Sequence, residues 1–374
     1  MIDSKFDGIR PYNDAEASEA ASRVLSSRYL RYVENFLFPD KPQGYIQSLF
    51  EGVDSVDNFQ VKVMSKVIER IMKGTTNGVT ISGLENLIKS DGSYGSFVLL
   101  STHRDIVLDP GLLQYMLYVN GMPRTEIAVG DNLIINQDIE DIMRSNRMIK
   151  VIRNQQPREL LKFSMLLSEY LHDSVVNRGT SVWIAHRQGR TKDGNDKTST
   201  GLLKMVGMYS GSSFVEKFMQ VPVIPVSISY EYETCAALKA MELIAKERDG
   251  FYNKQPNEDL NSMIKGIIQH KGRVHIAICK PFSEEELAKM YEVGKKDCYK
   301  IMSDMVDERL MASFKLWPSN YIAADMINGN SNFSEYYTEE DKEKFINHLN
   351  DECQGLPEEV FNRVLHIYAA HLLK

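Results

Sequence analysis

The chain has few cysteines and no long apolar run. Its four cysteines are scattered without the spacing of a metal site: Cys235, Cys279, Cys298 and Cys353. No apolar run approaches the roughly twenty residues that a membrane-spanning helix needs, and residues 1–16 lack the charged flank and apolar core of a signal peptide. We therefore expect a cytoplasmic protein without a metal site, in contact with the membrane only peripherally, on its inner face.

Several common functional motifs are also missing. No serine lies in G-x-S-x-G, no Gly-rich phosphate loop precedes a helix, and the H-R-D triplet at 103–105 is followed by Pro110 where a kinase needs asparagine. The net charge of −7 argues against a nucleic-acid partner. With 374 residues, 43% of them hydrophobic, the chain can still bury a large core.

The pattern of apolar residues changes near Gly78. Before it, residues 16–38 and 58–74 repeat apolar positions at helical spacing; after it, short β-branched and aromatic runs alternate with helical segments. The runs lie at 79–83, 96–102, 125–130, 148–154, 181–186, 221–230 and 273–282. This alternation predicts an α/β fold with a mixed, partly parallel sheet flanked by helices, and a smaller N-terminal helical domain. We place the domains at 1–75 (helical), 76–330 (α/β) and 331–374 (C-terminal helical segment).

A polar cluster follows the second of these runs. His103, Arg104, Asp105 and Asp109 come directly after VLLST. Open α/β sheets place their chemistry at the carboxyl ends of their strands, and a carboxylate beside a histidine can orient the imidazole as a general base. A histidine here could equally be a hydrogen-bonded turn residue.

A second polar cluster follows the fifth run. It carries Arg187, Arg190, Lys192, Lys197 and Lys204. Arginine holds phosphate oxygens bidentately and lysine adds a point charge, so the cluster suits a phosphorylated ligand. Taken alone, it could be a solvated basic loop closed by a D-G turn.

The order of the blocks resembles the glycerolipid acyltransferase superfamily, the glycerol-3-phosphate and 1-acylglycerol-3-phosphate acyltransferases. HRDIVLD is similar to the family's H-x-x-x-x-D, and RMIKVIRN, which carries Arg153, is similar to its second block. HRQGRT at 186–191 resembles E-G-x-R-S, and VPVIPV at 221–226 matches the fourth block in full.

The resemblance implies catalytic roles for His103, as base, and Asp109. It implies substrate binding by Arg104, Arg153, Arg187, Gln188, Gly189 and Arg190. The sequence departs from the family motifs at two positions, and both affect how these roles carry over to it. Five residues instead of four separate His103 from Asp109, so Asp105 is an alternative catalytic carboxylate, although we favour Asp109. Gln188 stands where the family has glutamate, and an amide cannot accept a proton at neutral pH.

The resemblance implies an acyltransferase of phospholipid biosynthesis. The acyl donor would be an acyl-carrier-protein or coenzyme A thioester, used as co-substrate without a further cofactor, and the acceptor a hydroxyl of glycerol-3-phosphate or its 1-acyl derivative. Two alternatives stay open: a weakened member that binds lysolipid or acyl-carrier protein, and an acyltransferase for a lyso-amino-acid lipid. The Met-rich stretch 202–219 could contact the acyl chain and YLRYVENFLF at 29–38 a membrane surface, although both patterns also suit core helices.

Overall fold

A seven-stranded sheet forms the centre of the computed structural model, which describes residues 2–153 and 155–373. Its strands are β1 (Val79–Ser82), β2 (Val98–Ser101), β3 (Glu126–Gly130), β4 (Met148–Val151), β5 (Val182–Ala185), β6 (Val223–Tyr230) and β7 (Val274–Ile278). The order is β1-β7-β6-β2-β5-β3-β4; β6 and β7 pair antiparallel, and all other neighbours pair parallel. Each predicted run contains one strand, so the mixed, partly parallel sheet is confirmed. Asn154, at the end of the fourth run, lies outside the described residues.

The middle of the sheet is buried on both faces, which explains the unbroken apolar character of its strands. Every residue of β2 and β6 is buried. Successive side chains point to opposite faces, so Val98 and Leu100 join one apolar cluster while Leu99 and Trp183 join another.

Helices cover both faces of the sheet and form both ends of the chain. Those before the sheet are α1 (Asp14–Leu25), α2 (Leu30–Leu37), α3 (Tyr45–Phe50), α4 (Val56–Phe59) and α5 (Ser65–Thr75), with a π-helical turn at Gln60–Met64. Those between strands are α6 (Leu108–Val119), α7 (Gln137–Ser145), α8 (Pro157–His172, continued by a π-helical turn at Asp173–Asn177), α9 (Thr200–Val206), α10 (Phe214–Gln220), α11 (Ala236–Asp249) and α12 (Glu258–Ile268). Those after β7 are α13 (Glu284–Gly294), α14 (Cys298–Ser313), α15 (Pro318–Asn328), α16 (Glu339–Glu352) and α17 (Glu358–Ala369).

The N-terminal helices share an apolar cluster of their own, which includes Phe38, Phe50 and Phe59. They are also attached to α7, because the buried Asp141 accepts hydrogen bonds from Tyr12 and Arg23. The helical character predicted for the N-terminal region is therefore confirmed. The three domain boundaries stay predictions.

The C-terminal helices pack on α11 as well as on one another. Ala236 and Ala240 of α11 share an apolar cluster with Ile322, Phe345 and Leu365. Across residues 2–153 and 155–373, no helix combines the length and the apolar character needed to cross a bilayer.

Candidate active site

Five parallel strands end at one edge of the sheet, and this edge gathers the polar side chains. His103 follows β2, Arg153 follows β4, Arg187 follows β5, and Tyr230 ends β6. Because β2 lies between β5 and β6, residues that are more than a hundred positions apart meet around His103.

His103 and Asp109 form a hydrogen-bonded pair. His103 Nδ1 lies 3.1 Å from Asp109 Oδ2, and Asp109 is fully buried whereas the His103 side chain is 15% exposed. A carboxylate beside Nδ1 favours the tautomer with its proton on Nδ1, so Nε2 keeps the lone pair that a base needs. The imidazole lies edge-on to Trp183, at 6.1 Å between ring centroids, and lines an open cleft.

Three further donors hold the Asp109 carboxylate. The backbone amides of Arg104 and Asp105 donate to Oδ2 at 2.6 and 2.9 Å, and the Tyr230 hydroxyl donates to Oδ1 at 2.7 Å. Burial, with Asp109 beside it, raises the pKa of Tyr230 well above its ordinary value, so the phenol stays a donor. The carboxylate is therefore fixed on both oxygens.

Asp105 has a different position. Its Oδ1 accepts the backbone amides of Val107 and Leu108 at 2.9 and 2.8 Å, as a residue that caps α6 does. The structure thus brings Asp109, and not Asp105, to the imidazole.

Four cationic side chains line the cleft with His103: Arg153, Arg190, Lys192 and Lys254. Arg153 packs on Gly130, where an added Cβ would come within 2.7 Å of its guanidinium carbon. Arg190 has a buried terminal nitrogen without a hydrogen-bond partner among the described residues. Gly189 lines the same cleft, in a turn that needs its φ of +73°.

Neither Arg153 nor Arg190 forms an ion pair with a carboxylate in the described part of the chain. By contrast, Lys192 pairs with Glu242 and Lys254 pairs with Asp259. Two guanidinium groups therefore remain free to hold an anion next to His103.

Arg104 is not part of the cleft. Its guanidinium is buried and forms ion pairs with Asp196 at 2.5 Å and Glu233 at 3.3 Å, and it packs over the Phe314 ring. These buried partners hold the Arg104 side chain away from the cleft that His103 lines. The structure gives Arg104 a place in the wall behind the site rather than the predicted contact with substrate.

Arg187 and Gln188 line a second groove, which adjoins the cleft and shares Arg153 with it. The groove is mostly apolar, and Leu160, Leu167, Leu202 and Met205 contribute to its walls. Leu202 and Met205 belong to the Met-rich stretch that was expected near an acyl chain, whereas Phe214 and Phe218 of that stretch lie in the core.

Sequence reasoning missed the positions of Tyr230, Trp183, Lys254 and Asp259 at this site. Lys192 was recognised only as a member of a basic cluster. Tyr230 ends an apolar run, but nothing local shows that its strand lies beside β2. Lys254 lies in the polar loop between α11 and α12 and Asp259 in the first turn of α12, and neither carries a motif.

A family model described as Acyltransferase matches residues 78–229, the part of the chain that holds β1 to β6 and the His103–Asp109 pair. Residues 78–229 thus support the resemblance to the glycerolipid acyltransferase superfamily. A curated glycerol-3-phosphate acyltransferase from Shewanella amazonensis is 25% identical over 236 residues, which are 63% of this chain and 27% of that protein. The chain thus spans about a quarter of the length of that relative.

Among solved structures, a 1-acyl-sn-glycerophosphate (LPA) acyltransferase, PlsC, from Thermotoga maritima is similar to 77% of this chain, over 95% of its own length. The identity is 15% and the TM-score 0.38.

Proposed function

We propose that this acyltransferase moves a fatty acyl group from a thioester to a hydroxyl of glycerol-3-phosphate or its 1-acyl derivative. The proposal rests on one observation: the His103–Asp109 pair opens on a cleft whose two arginines, Arg153 and Arg190, have no ion-pair partner among the described residues. A base and an empty anion site side by side suit an acceptor that carries both a hydroxyl and a phosphate.

In this mechanism Nε2 of His103 removes the proton of the acceptor hydroxyl as its oxygen attacks the thioester carbonyl. The C–O bond forms, the C–S bond breaks, and the proton passes from the imidazolium to the leaving thiolate. Asp109 stabilises the imidazolium, and general-base catalysis of this kind contributes roughly two to four orders of magnitude in rate. No acyl-enzyme intermediate is needed.

The groove beside Arg153 supplies a place for the acyl chain. Its aliphatic walls lie next to the cleft, so an acyl group in the groove and a phosphate on Arg153 and Arg190 would bring the reacting carbon near His103. The donor would be an acyl-carrier-protein or coenzyme A thioester, as the family resemblance implies. We extend the proposal to peripheral membrane contact through α2, where Tyr32, Val33 and Phe36 are exposed.

The direct test follows the free thiol released from acyl donor. Wild-type protein should release thiol only when a phosphorylated acceptor is added, and His103→Ala should abolish the release. His366→Ala, at an exposed histidine of α17, is the matched control and should keep full activity. Turnover in His103→Ala would contradict the assignment of the base, and acceptor-independent thiol release would contradict the transferase reaction.

Two alternatives remain to be tested. The first, a weakened member that only binds lysolipid or acyl-carrier protein, is suggested by Gln188. The second, an acyltransferase for a lyso-amino-acid lipid, would use an acceptor without a phosphate. Lysolipid binding without turnover would favour the first. Equal turnover of acceptors with and without a phosphate would favour the second, because Arg153 and Arg190 would then be unnecessary.

A further inference from the structure

We propose that Lys254 is a further phosphate-binding residue of the cleft, held in the free protein by Asp259 until a phosphate monoester replaces that carboxylate. Both residues lie outside the segment 78–229 that matches the family. The inference deepens the proposed function, on which it depends for the identity of the ligand.

Lys254 and Asp259 form one wall of the cleft. Lys254 Nζ lies 2.5 Å from Asp259 Oδ1, and the Asn132 side-chain amide donates to Asp259 Oδ2 at 3.4 Å. The Lys254 side chain is 50% exposed, so its ammonium group can turn from the carboxylate towards a ligand without leaving a buried pocket. An exposed pair of this kind contributes little to stability.

This wall of the cleft has a fixed position relative to the turn that carries His103. Asp259 lies in the first turn of α12, and Gly266 of the same helix packs directly on the Asp105 carboxylate, where an added Cβ would collide with it. Asp105 caps α6 next to Asp109. The helix that carries the wall therefore rests on the loop that holds His103.

The charges of the cleft explain what this lysine would add. Arg153 and Arg190 have no ion pair with a carboxylate among the described residues, whereas Lys192 is partly neutralised by Glu242. Burial lowers the pKa of Lys192, and Lys254 is one of the neighbouring cations that lower it further. Lys254 and Lys192 both line the cleft that holds Arg153 and Arg190. A flexible ammonium group there would contribute a point charge to a phosphate that the arginines hold bidentately.

Asp259 would act against the ligand. Burial lowers the pKa of Arg153, whereas the nearby charges of Asp131 and Asp259 raise it. Asp259 therefore supplies negative charge to Arg153 and Lys254 where a phosphate would otherwise do so. Removing its charge should make phosphate binding tighter, and removing that of Lys254 should make it weaker.

The experiment titrates inorganic phosphate, glycerol-3-phosphate and coenzyme A calorimetrically against wild type and four variants. Lys254→Gln should weaken phosphate binding roughly tenfold, the usual effect of losing one charged hydrogen bond. Lys254→Arg keeps the charge and should bind phosphate with an affinity within about threefold of wild type. Asp259→Asn should bind more tightly. Lys289→Gln, which removes an exposed, ion-paired lysine on α13 outside the cleft, should match wild type.

The ligand series identifies the source of the phosphate. Weaker binding of glycerol-3-phosphate together with a raised KM at unchanged kcat would assign Lys254 to the acceptor, and weaker binding of coenzyme A alone would assign it to the donor. Wild-type affinity of Lys254→Gln for all three ligands, or weaker binding by Asp259→Asn, would overturn the inference. Protein that binds phosphate through Lys254 but transfers no acyl group would contradict the proposed function and leave this inference standing.

Discussion

At the scale of the residue, Asp109 depends on a donor that the family motif does not contain. The Tyr230 hydroxyl donates to Oδ1 at 2.7 Å, and both groups are buried. Tyr230 is not among the residues that line the cleft, so its effect on the reaction must pass through Asp109 and the imidazole that Asp109 orients.

Tyr230→Phe should therefore lower kcat by roughly tenfold at unchanged KM. It should also lower the free energy of unfolding by about 1–3 kcal/mol, because a buried carboxylate oxygen loses its partner. Steady-state kinetics and urea denaturation check the two effects. Tyr337→Phe removes a similar 2.8 Å hydrogen bond to Asp325, far along the chain from the site, and should leave kcat unchanged; equal losses in both variants would mean that Tyr230 has only a structural role.

Gln188 departs from the family glutamate at a position that faces the groove. The residue is exposed and lines the apolar groove, whereas Gly189 and Arg190 line the cleft with His103. A carboxylate there would remain solvated and would not contact the reacting atoms.

Gln188→Glu should consequently change kcat/KM by less than about fivefold, the range of an exposed charge interaction. The thiol-release assay with a phosphorylated acceptor measures this directly. A gain of several orders of magnitude in the variant would show that the wild-type chain is a disabled enzyme and would support the binding-protein alternative.

At the scale of the element, the seven strands could be predicted because each is a short β-branched or aromatic run between turn residues. Their order could not. Val98 of β2 pairs with Val223 of β6 across more than a hundred residues, and periodicity contains no information on such partners. The approach of Tyr230 to Asp109 and of Lys254 to Arg153 follows from that order and from the packing of α12, so both were invisible in the sequence. Arg104 was misplaced for a local reason, since its side chain turns away from that of His103.

The end of β3 positions Arg153 through the absence of a side chain. Gly130 has an ordinary φ of −64°, so its backbone suits alanine. A Cβ there would nevertheless lie within 2.7 Å of the Arg153 guanidinium. It would also lie 2.5 Å from Asn132 Oδ1, so an alanine here would displace the ends of both side chains.

Gly130→Ala should displace Arg153 and raise the KM for a phosphorylated acceptor about tenfold or more, with a smaller effect on kcat, because one bidentate phosphate contact is lost. Gly74→Ala is the matched control, because an added Cβ in this exposed helical position meets nothing within 4 Å. This variant should raise the free energy of unfolding by about 0.5–1 kcal/mol without affecting KM. An unchanged KM in Gly130→Ala would remove Arg153 from the anion site.

At the scale of the whole molecule, a buried histidine, His186, and a half-buried one, His348, connect stability to pH. Burial lowers the pKa of His186 to about 4 and that of His348 to about 4, from 6.5. His186 faces Thr198 and Asp196, with Arg187, His103 and Arg104 near it; His348 stacks on Tyr232 and faces Tyr368, with His270, Asp351 and Lys265 near it. Because one ring lies behind the catalytic edge and the other among the C-terminal helices, both regions should respond to acid.

Between pH 6.5 and 4 the unfolded chain takes up protons on both rings and the folded chain does not, so the free energy of unfolding must fall as the pH falls through this window. The loss is at most about 3 kcal/mol for each histidine. Urea denaturation at a series of pH values should show this slope, and His348→Gln should flatten it while His366→Gln, at a solvated histidine, should not. Asp196, whose pKa is held at about 2 by Arg104 against the effect of burial, adds a further loss only below its ordinary 3.8. A slope that His348→Gln leaves unchanged would mean that the ring is already protonated in the folded state, and that the packing of α16 on Tyr232 tolerates a charge.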